Sequence, residues 1–126
     1  MLFRSNEPHF KFEDLKVYQK ALDFVDVVYD LTKTFPKQEQ YNLVSQFNRA
    51  SVSIALNIAE GHGDTNAQFN RFLRIARDSV NECVVCSTIA FRRGYLESQD
   101  NENNRLLLSE LAKMISGLAK YLTTKD

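Results

Sequence analysis

Residues 46–61, Gln-Phe-Asn-Arg-Ala-Ser-Val-Ser-Ile-Ala-Leu-Asn-Ile-Ala-Glu-Gly, constrain the fold more than any other part of the chain. Phe47, Ala50, Ile54 and Ile58 recur at steps of three and four, the period of a helix with one buried face. Small residues flank that stripe: Ala50, Ser51, Ser53, Ala55 and Ala59. They allow neighbouring helices to come close. Ser53 and Asn57 stand one turn apart and so share a face. Gly61 and Gly63 are expected to stop the helix, because glycine readily takes the left-handed conformation of a C-terminal cap. The stretch predicts a tightly packed central helix with a sharp exit. It carries no metal-ligand cluster and no evident nucleophile.

The other segments supply three more helices. From about Glu13, Leu15, Tyr18, Leu22, Val25, Tyr29 and Thr32 form one stripe, and Ala21, Phe24, Val28, Leu31 and Phe35 form a second beside it. Two stripes mean a broad buried face. Pro36 ends this helix, since the residue before a proline is pushed out of the helical region. A short polar loop over residues 36–40 makes the next helix, from about Tyr41 to Gly61, an antiparallel neighbour. Thr65 or Asn66 can cap a third helix over residues 66–93, with Phe69, Phe72, Leu73, Ala76, Val80, Cys83, Ser87 and Ala90 as its core stripe. Gly94 ends it. A fourth helix is expected from Asp100 or Asn101, with Leu108, Leu111, Ile115, Leu118 and Leu122 inward and Leu107, Met114 and Tyr121 as a companion line. The fold class is all-α, an antiparallel up-down-up-down four-helix bundle. Residues 12–122 form the bundle, residues 1–11 a flexible lead-in and residues 123–126 a short tail.

Length and composition agree. At 126 residues the chain is one domain with room for one core. Its hydrophobic fraction of 44% and charged fraction of 25% are ordinary for a globular protein. No apolar run reaches the ~20 residues of a membrane span, and the first residues lack the apolar core of a signal peptide. The expectation is a cytoplasmic protein with no membrane partner.

The chemistry-bearing residues are few. Cys83 and Cys86 form a CxxC inside a helical pattern. A CxxC can be a redox pair or half a metal site; with no second pair and no flanking glycine or proline, two core packing residues is the favoured reading. The histidines, His9 and His62, lack a helical carboxylate at di-iron spacing, so no metal and no cofactor is expected. Glu60 and His62 could form an acid–base pair. The favoured reading makes Glu60 a structural partner for Arg49, Arg74 or the turn amides, because the helix dipole disfavours an unpaired carboxylate at a C-terminus. The expectation is therefore no enzyme and no catalytic residue.

Sixteen basic residues balance sixteen acidic ones. A nucleic-acid binder usually shows a basic excess. The balance is uneven, however: residues 64–94 hold five arginines against three acids. Arg71, Arg74 and Arg77 recur at three-residue steps, and Arg49 on the second helix can join them. Arginines at helical spacing can track phosphates; a solvated face or an ion-pair set between subunits is the alternative.

One resemblance spans nearly the whole chain, residues 12–121. Asn57-Ile58-Ala59-Glu60-Gly61, preceded by Arg49-Ala50 and Ser53-Ile54, resembles the signature of the four-helix-bundle family of 23S rRNA intervening-sequence proteins. Asp14-Leu15-Lys16-Val17-Tyr18, Phe35-Pro36 and the pattern Phe69, Phe72-Leu73, Ala76, Ser79, Glu82 are similar too. The resemblance implies structural roles for Asn57, Glu60 and Gly61 and assembly into a ring of five. The chain also resembles accessory proteins of diversity-generating retroelements, which share the fold and bind nucleic acid. The family often carries an arginine shortly after the glycine turn; here Asp64 stands in that region. The expected partners are further copies of the chain, and RNA, DNA or a nucleic-acid-handling protein. A structural assembly or protein-interaction module without nucleic acid is the alternative.

Overall fold

The computed structural model describes residues 7–125. Four helices carry the chain: α1 (Lys16–Thr32), α2 (Leu43–Gly61), α3 (Asn66–Arg92) and α4 (Ser98–Lys125). Two single 3-10 turns, Lys11–Asp14 and Lys37–Glu39, precede α1 and α2. No strand occurs among the described residues.

The pairing is antiparallel throughout. As α2 runs from Gln46 through Ser53 to Gly61, its partners on α3 run back from Glu82 through Ser79 to Phe69. As α3 runs from Asn70 through Arg77 to Ser87, its partners on α4 run back from Thr123 through Ser116 to Asn104 and Asn101. The Lys20–Glu110 ion pair at 3.4 Å links α1 to α4 and closes the bundle. Short loops between long amphipathic helices fold each helix back antiparallel against the one before it.

The core is the expected one in α2 and in most of α3 and α4, with Phe72 of the expected α3 stripe only half-buried. Phe47, Ala50, Ile54 and Ile58 are buried, as are Phe69, Leu73, Ala76, Val80, Cys83, Ser87 and Ala90. Leu108, Leu111, Ile115 and Leu122 close it from α4, with Leu118 half-buried. Asn57 donates to the Ser53 carbonyl at 2.8 Å and to the Ser53 hydroxyl at 3.0 Å, and Ser79 on α3 donates to the same hydroxyl at 2.8 Å. These shared hydrogen bonds let the small-residue face of α2 lie against α3 without leaving polar groups bare.

The helix ends depart from expectation. Residues 11–14 make a 3-10 turn and Leu15 is extended, so α1 begins at Lys16 and not at Glu13. Glu13 instead accepts the Phe10 amide at 3.0 Å, which holds the turn. Helix α1 stops at Thr32, before Pro36, and the chain turns through Phe35, whose amide reaches the Thr32 carbonyl at 3.1 Å. Tyr41 is 95% exposed ahead of α2, which begins two residues later than expected. Helix α4 begins at Ser98, ahead of Asp100. Thr65 supplies the α3 cap, accepting the Gln68 amide at 3.2 Å. In the expected lead-in and tail, residues 1–6 and 126 lie outside the described residues.

Of the two stripes read in α1, the one through Ala21, Phe24 and Val28 faces the core, joined by Val17. The other is divided: Leu22 and Tyr29 are exposed, Leu15, Tyr18 and Val25 are half-buried, and Thr32 is buried. The α4 companion line behaves the same way, with Leu107 and Tyr121 exposed and Met114 half-buried.

The glycines divide the work of the α2 exit. Gly61 is the last helical residue and is buried; it does not take a positive φ. A Cβ there would lie 2.8 Å from the Phe69 ring and 2.8 Å from the Phe72 Cβ. Gly61 is thus a close-approach glycine. The left-handed turn belongs to Gly63, at φ +90°. At the other end of the bundle the Tyr95 hydroxyl donates to Glu39 at 2.9 Å, and its ring lies against Phe35 at 5.4 Å. That contact ties the α1–α2 connection to the α3–α4 connection.

Candidate nucleic-acid interface

Arg74 and Arg77 project from α3 toward α4 because α3 buries Leu73, Ala76 and Val80 on its inner face. They line a groove of about 340 Å³ together with Asn70, Ser116, Lys120 and Thr123, over Leu73 and Ile115. Lys120 comes from α4, one turn beyond Ser116. Arg77 donates to the Ser116 hydroxyl. Asn70 donates to the Thr123 hydroxyl at 3.2 Å, and Thr123 donates in turn to the Ala119 carbonyl at 2.9 Å. No carboxylate lines the groove. Three cations and two hydroxyls with no anion among them make a site that attracts phosphate. Further along the same seam Arg105 of α4 reaches Thr88 of α3 at 3.1 Å, extending the basic character.

The other two sequence candidates stand elsewhere. Arg71 is exposed on α3 and does not line this groove. Arg49 lies on α2 in a separate depression of about 650 Å³, walled by Tyr29, Tyr41, Val52 and Leu56 and shared with Glu82. That depression is larger, but it is apolar on one side and carries an acid beside the arginine. Arg49 therefore does not join Arg74 and Arg77.

The signature residues are resolved into distinct roles. Asn57 is buried and bound to Ser53 as described. Gly61 is the close-approach position. Glu60 is exposed and meets neither Arg49 nor Arg74, and it makes no hydrogen bond or ion pair among the described residues. Its neighbour His62 packs edge-on to the Phe69 ring at 5.8 Å. Both cysteines are buried and free. Burial raises both thiols, Cys86 to about 11, with the Glu82 charge adding to it. Among the described residues no group of three histidines, cysteines or carboxylates could hold a metal, and no helix is long and apolar enough to cross a membrane.

Lys120 is the site residue that the sequence pattern left unassigned. Ser116, Lys120 and Thr123 fall at helical spacing on one face of α4. That face becomes meaningful only once α4 is known to pair with α3 in this register.

The fold and the groove define an all-α four-helix bundle with a basic seam between its last two helices. Residues 13–117 match the model of the 23S rRNA-intervening sequence protein family, and the chain belongs to that family. It is similar to a solved structure from Bacteroides thetaiotaomicron, a protein with unknown function from the S23 ribosomal protein family. The two share 25% identity over 82% of this chain and 98% of that one, with a TM-score of 0.76. No curated protein sequence matches the chain.

Proposed function

We propose that this protein is a non-enzymatic, cytoplasmic, self-assembling bundle that binds a polynucleotide along the α3–α4 groove. The observation that carries the reading is the gathering of Arg74, Arg77 and Lys120 in one groove that no carboxylate lines. Each cation that neutralises a phosphate releases a counterion, so binding weakens steeply with salt. The chain's zero net charge limits the field of one copy. Assembly answers this: a ring of five repeats the groove around one axis and multiplies the local potential. Exposed Leu22, Tyr29, Val52 and Leu56 supply apolar surface for subunit contacts, and closed symmetric assemblies are the rule for such contacts. The membership in the intervening-sequence family supports a nucleic-acid setting.

A second reading is a protein-interaction or assembly module without nucleic acid. The apolar depression around Tyr29, Val52 and Leu56 favours it.

Two measurements decide. Light scattering of the purified protein should return the mass of five chains; a monomer mass overturns the assembly. Fluorescence anisotropy with labelled 20-nucleotide RNA and DNA should show binding whose logarithm falls linearly with the logarithm of salt. Arg74→Glu combined with Arg77→Glu should abolish it and leave the mass unchanged. Unchanged binding in that variant overturns the site, and no binding by the parent protein leaves the second reading.

A further inference from the structure

Three side-chain bonds between exposed or half-buried residues cross the α3–α4 seam in one register. Asn70 meets Thr123, Arg77 meets Ser116 and Thr88 meets Arg105. The step from Asn70 to Arg77 equals the step back from Thr123 to Ser116, and the step from Arg77 to Thr88 equals that from Ser116 to Arg105. The two helices therefore run side by side without drift from Asn70 to Thr88, a straight length of about 27 Å at the helical rise.

The seam positions between those bonds hold Arg74, Asn81 and Val84 on α3 and Ser109, Ala112 and Lys120 on α4. No carboxylate stands among them. The acids of these helices turn elsewhere. Glu82 accepts from Gln46 of α2, and Glu110 pairs with Lys20 of α1. Asp78 is two residues from both Ala76 and Val80, which are buried, and so lies on the side of α3 away from the core. Glu102 comes one turn past Arg105, beyond the last crossing bond, and bounds the basic stretch.

The crossing bonds also set the cations in place. Thr88 and Thr123 give their own protons to the carbonyls of Val84 and Ala119 at 2.8 and 2.9 Å, so toward the seam they accept. Arg77 and Arg105 are each held by one such hydroxyl, and the remaining donors of each guanidinium stay available to a ligand. Cations held in position before binding spare part of the ordering cost. No aromatic ring stands at the seam positions, so no base has a platform on which to stack. What the seam offers is a straight line of cations, suited to phosphates and indifferent to bases. A strand within a duplex completes a turn in about 34 Å. Over this length it winds most of the way round and leaves the line. A single strand can straighten and follow it.

We propose that the whole seam, from Asn70 and Thr123 to Thr88 and Arg105, is a track for the sugar-phosphate backbone of a single strand. The phosphates face Lys120, Arg74, Arg77 and Arg105, and the bases face outward. Arg105 is thus a binding residue at the far end of the track. The inference rests on the polynucleotide reading of the α3–α4 groove and extends it in length and in the form of nucleic acid taken. DNA and RNA strands share the backbone that is gripped.

The test is anisotropy on the full chain with single-stranded DNA, single-stranded RNA and a DNA duplex of equal length. The two single strands should bind within about threefold of each other, and the duplex at least about tenfold more weakly. Oligothymidylate and oligocytidylate should bind alike. The dinucleotide TpT, with one phosphate, should not compete. The salt slope for four cations on a single strand should be about −3. Arg105→Gln, at an exposed position, should weaken single-strand binding about threefold to tenfold and flatten the slope by about 0.7, with an unchanged melt. A duplex bound as tightly as the single strands overturns the track, as does a tenfold preference between the two homopolymers. If Arg105→Gln binds like the parent while Arg74→Glu with Arg77→Glu abolishes binding, the groove stands and the track falls. If no polynucleotide binds the parent protein, both fall.

Discussion

Gly61 and Phe72 approach so closely that a methyl group on Gly61 would sit 2.8 Å from the Phe72 Cβ. Real Cβ atoms do not come that near, and a Cβ, unlike a side-chain tip, cannot swing away. The α2–α3 crossing at this point is set by the absence of one carbon atom. Gly61→Ala is expected to destabilise the bundle by about 1–3 kcal/mol, the usual cost of overpacking. Gly63→Ala, where nothing lies within 4 Å but φ is +90°, should cost only the left-handed strain of about 1–2 kcal/mol. Thermal melts of the two, with Val or Leu at each position as a second step, separate the causes. At Gly61 the loss should grow with side-chain size, through steric overlap. At Gly63 it should change little.

Ile54 is fully buried in the middle of α2. Ile54→Asp places a charge there with no partner, at a cost of about 3–5 kcal/mol. A domain has roughly 5–15 kcal/mol in all, so the variant should melt far below the parent or fail to fold. A melt within a few degrees of the parent would remove Ile54 from the core.

Cys83 and Cys86 act as packing residues, and their thiols should report it. Burial holds both pKa values above the ordinary 9.0, with Cys86 at about 11. A group whose pKa rises on folding stabilises the fold below its unfolded pKa and loses that contribution as pH climbs to the folded value. Stability should therefore fall between about pH 9 and pH 11, and more steeply than in the Cys83→Ser, Cys86→Ser double variant. Melts at pH 8, 9.5 and 11 for both proteins test this. Fast reaction of either thiol with a disulfide reagent at pH 7 would contradict the buried reading.

Arg49 lies with Glu82 in the depression on α2, apart from the α3–α4 groove. Arg49→Glu should leave polynucleotide affinity within about twofold of the parent, whereas Lys120→Glu should lower it and flatten its salt dependence by about one unit of slope. Anisotropy titrations at several salt concentrations measure both. Equal losses in the two variants would show that the site extends to α2.

Leu56 is 52% exposed on the outer face of α2. Leu56→Asp should leave the melt of the isolated bundle nearly unchanged, because a surface substitution rarely exceeds about 0.5 kcal/mol. If this face joins subunits, the same change should lower the mass seen by light scattering. An unaltered assembly would place the contact elsewhere.

The periodicity of Phe47, Ala50, Ile54 and Ile58, and its counterparts on α3 and α4, determined which side of those helices is buried, whereas in α1 it offered two stripes and packing chose the one through Ala21, Phe24 and Val28. It also determined the number of helices and, through the short loops, their antiparallel order. Those properties are local: a helix of 3.6 residues per turn sorts its own residues by face. Helix ends were less legible, since Leu15 and Tyr41 continue an apolar pattern that the backbone does not follow. What only the tertiary structure decided is how one face meets another. Packing put Lys120 beside Arg74 and Arg77 and sent Arg49 to a different seam. It turned Gly61 from an expected cap into a point of close approach. It also buried Asn104 with an unmet carbonyl. Each of these depends on the register between two helices distant in sequence, and register is fixed by side-chain interlocking across the core, which no single-helix pattern contains.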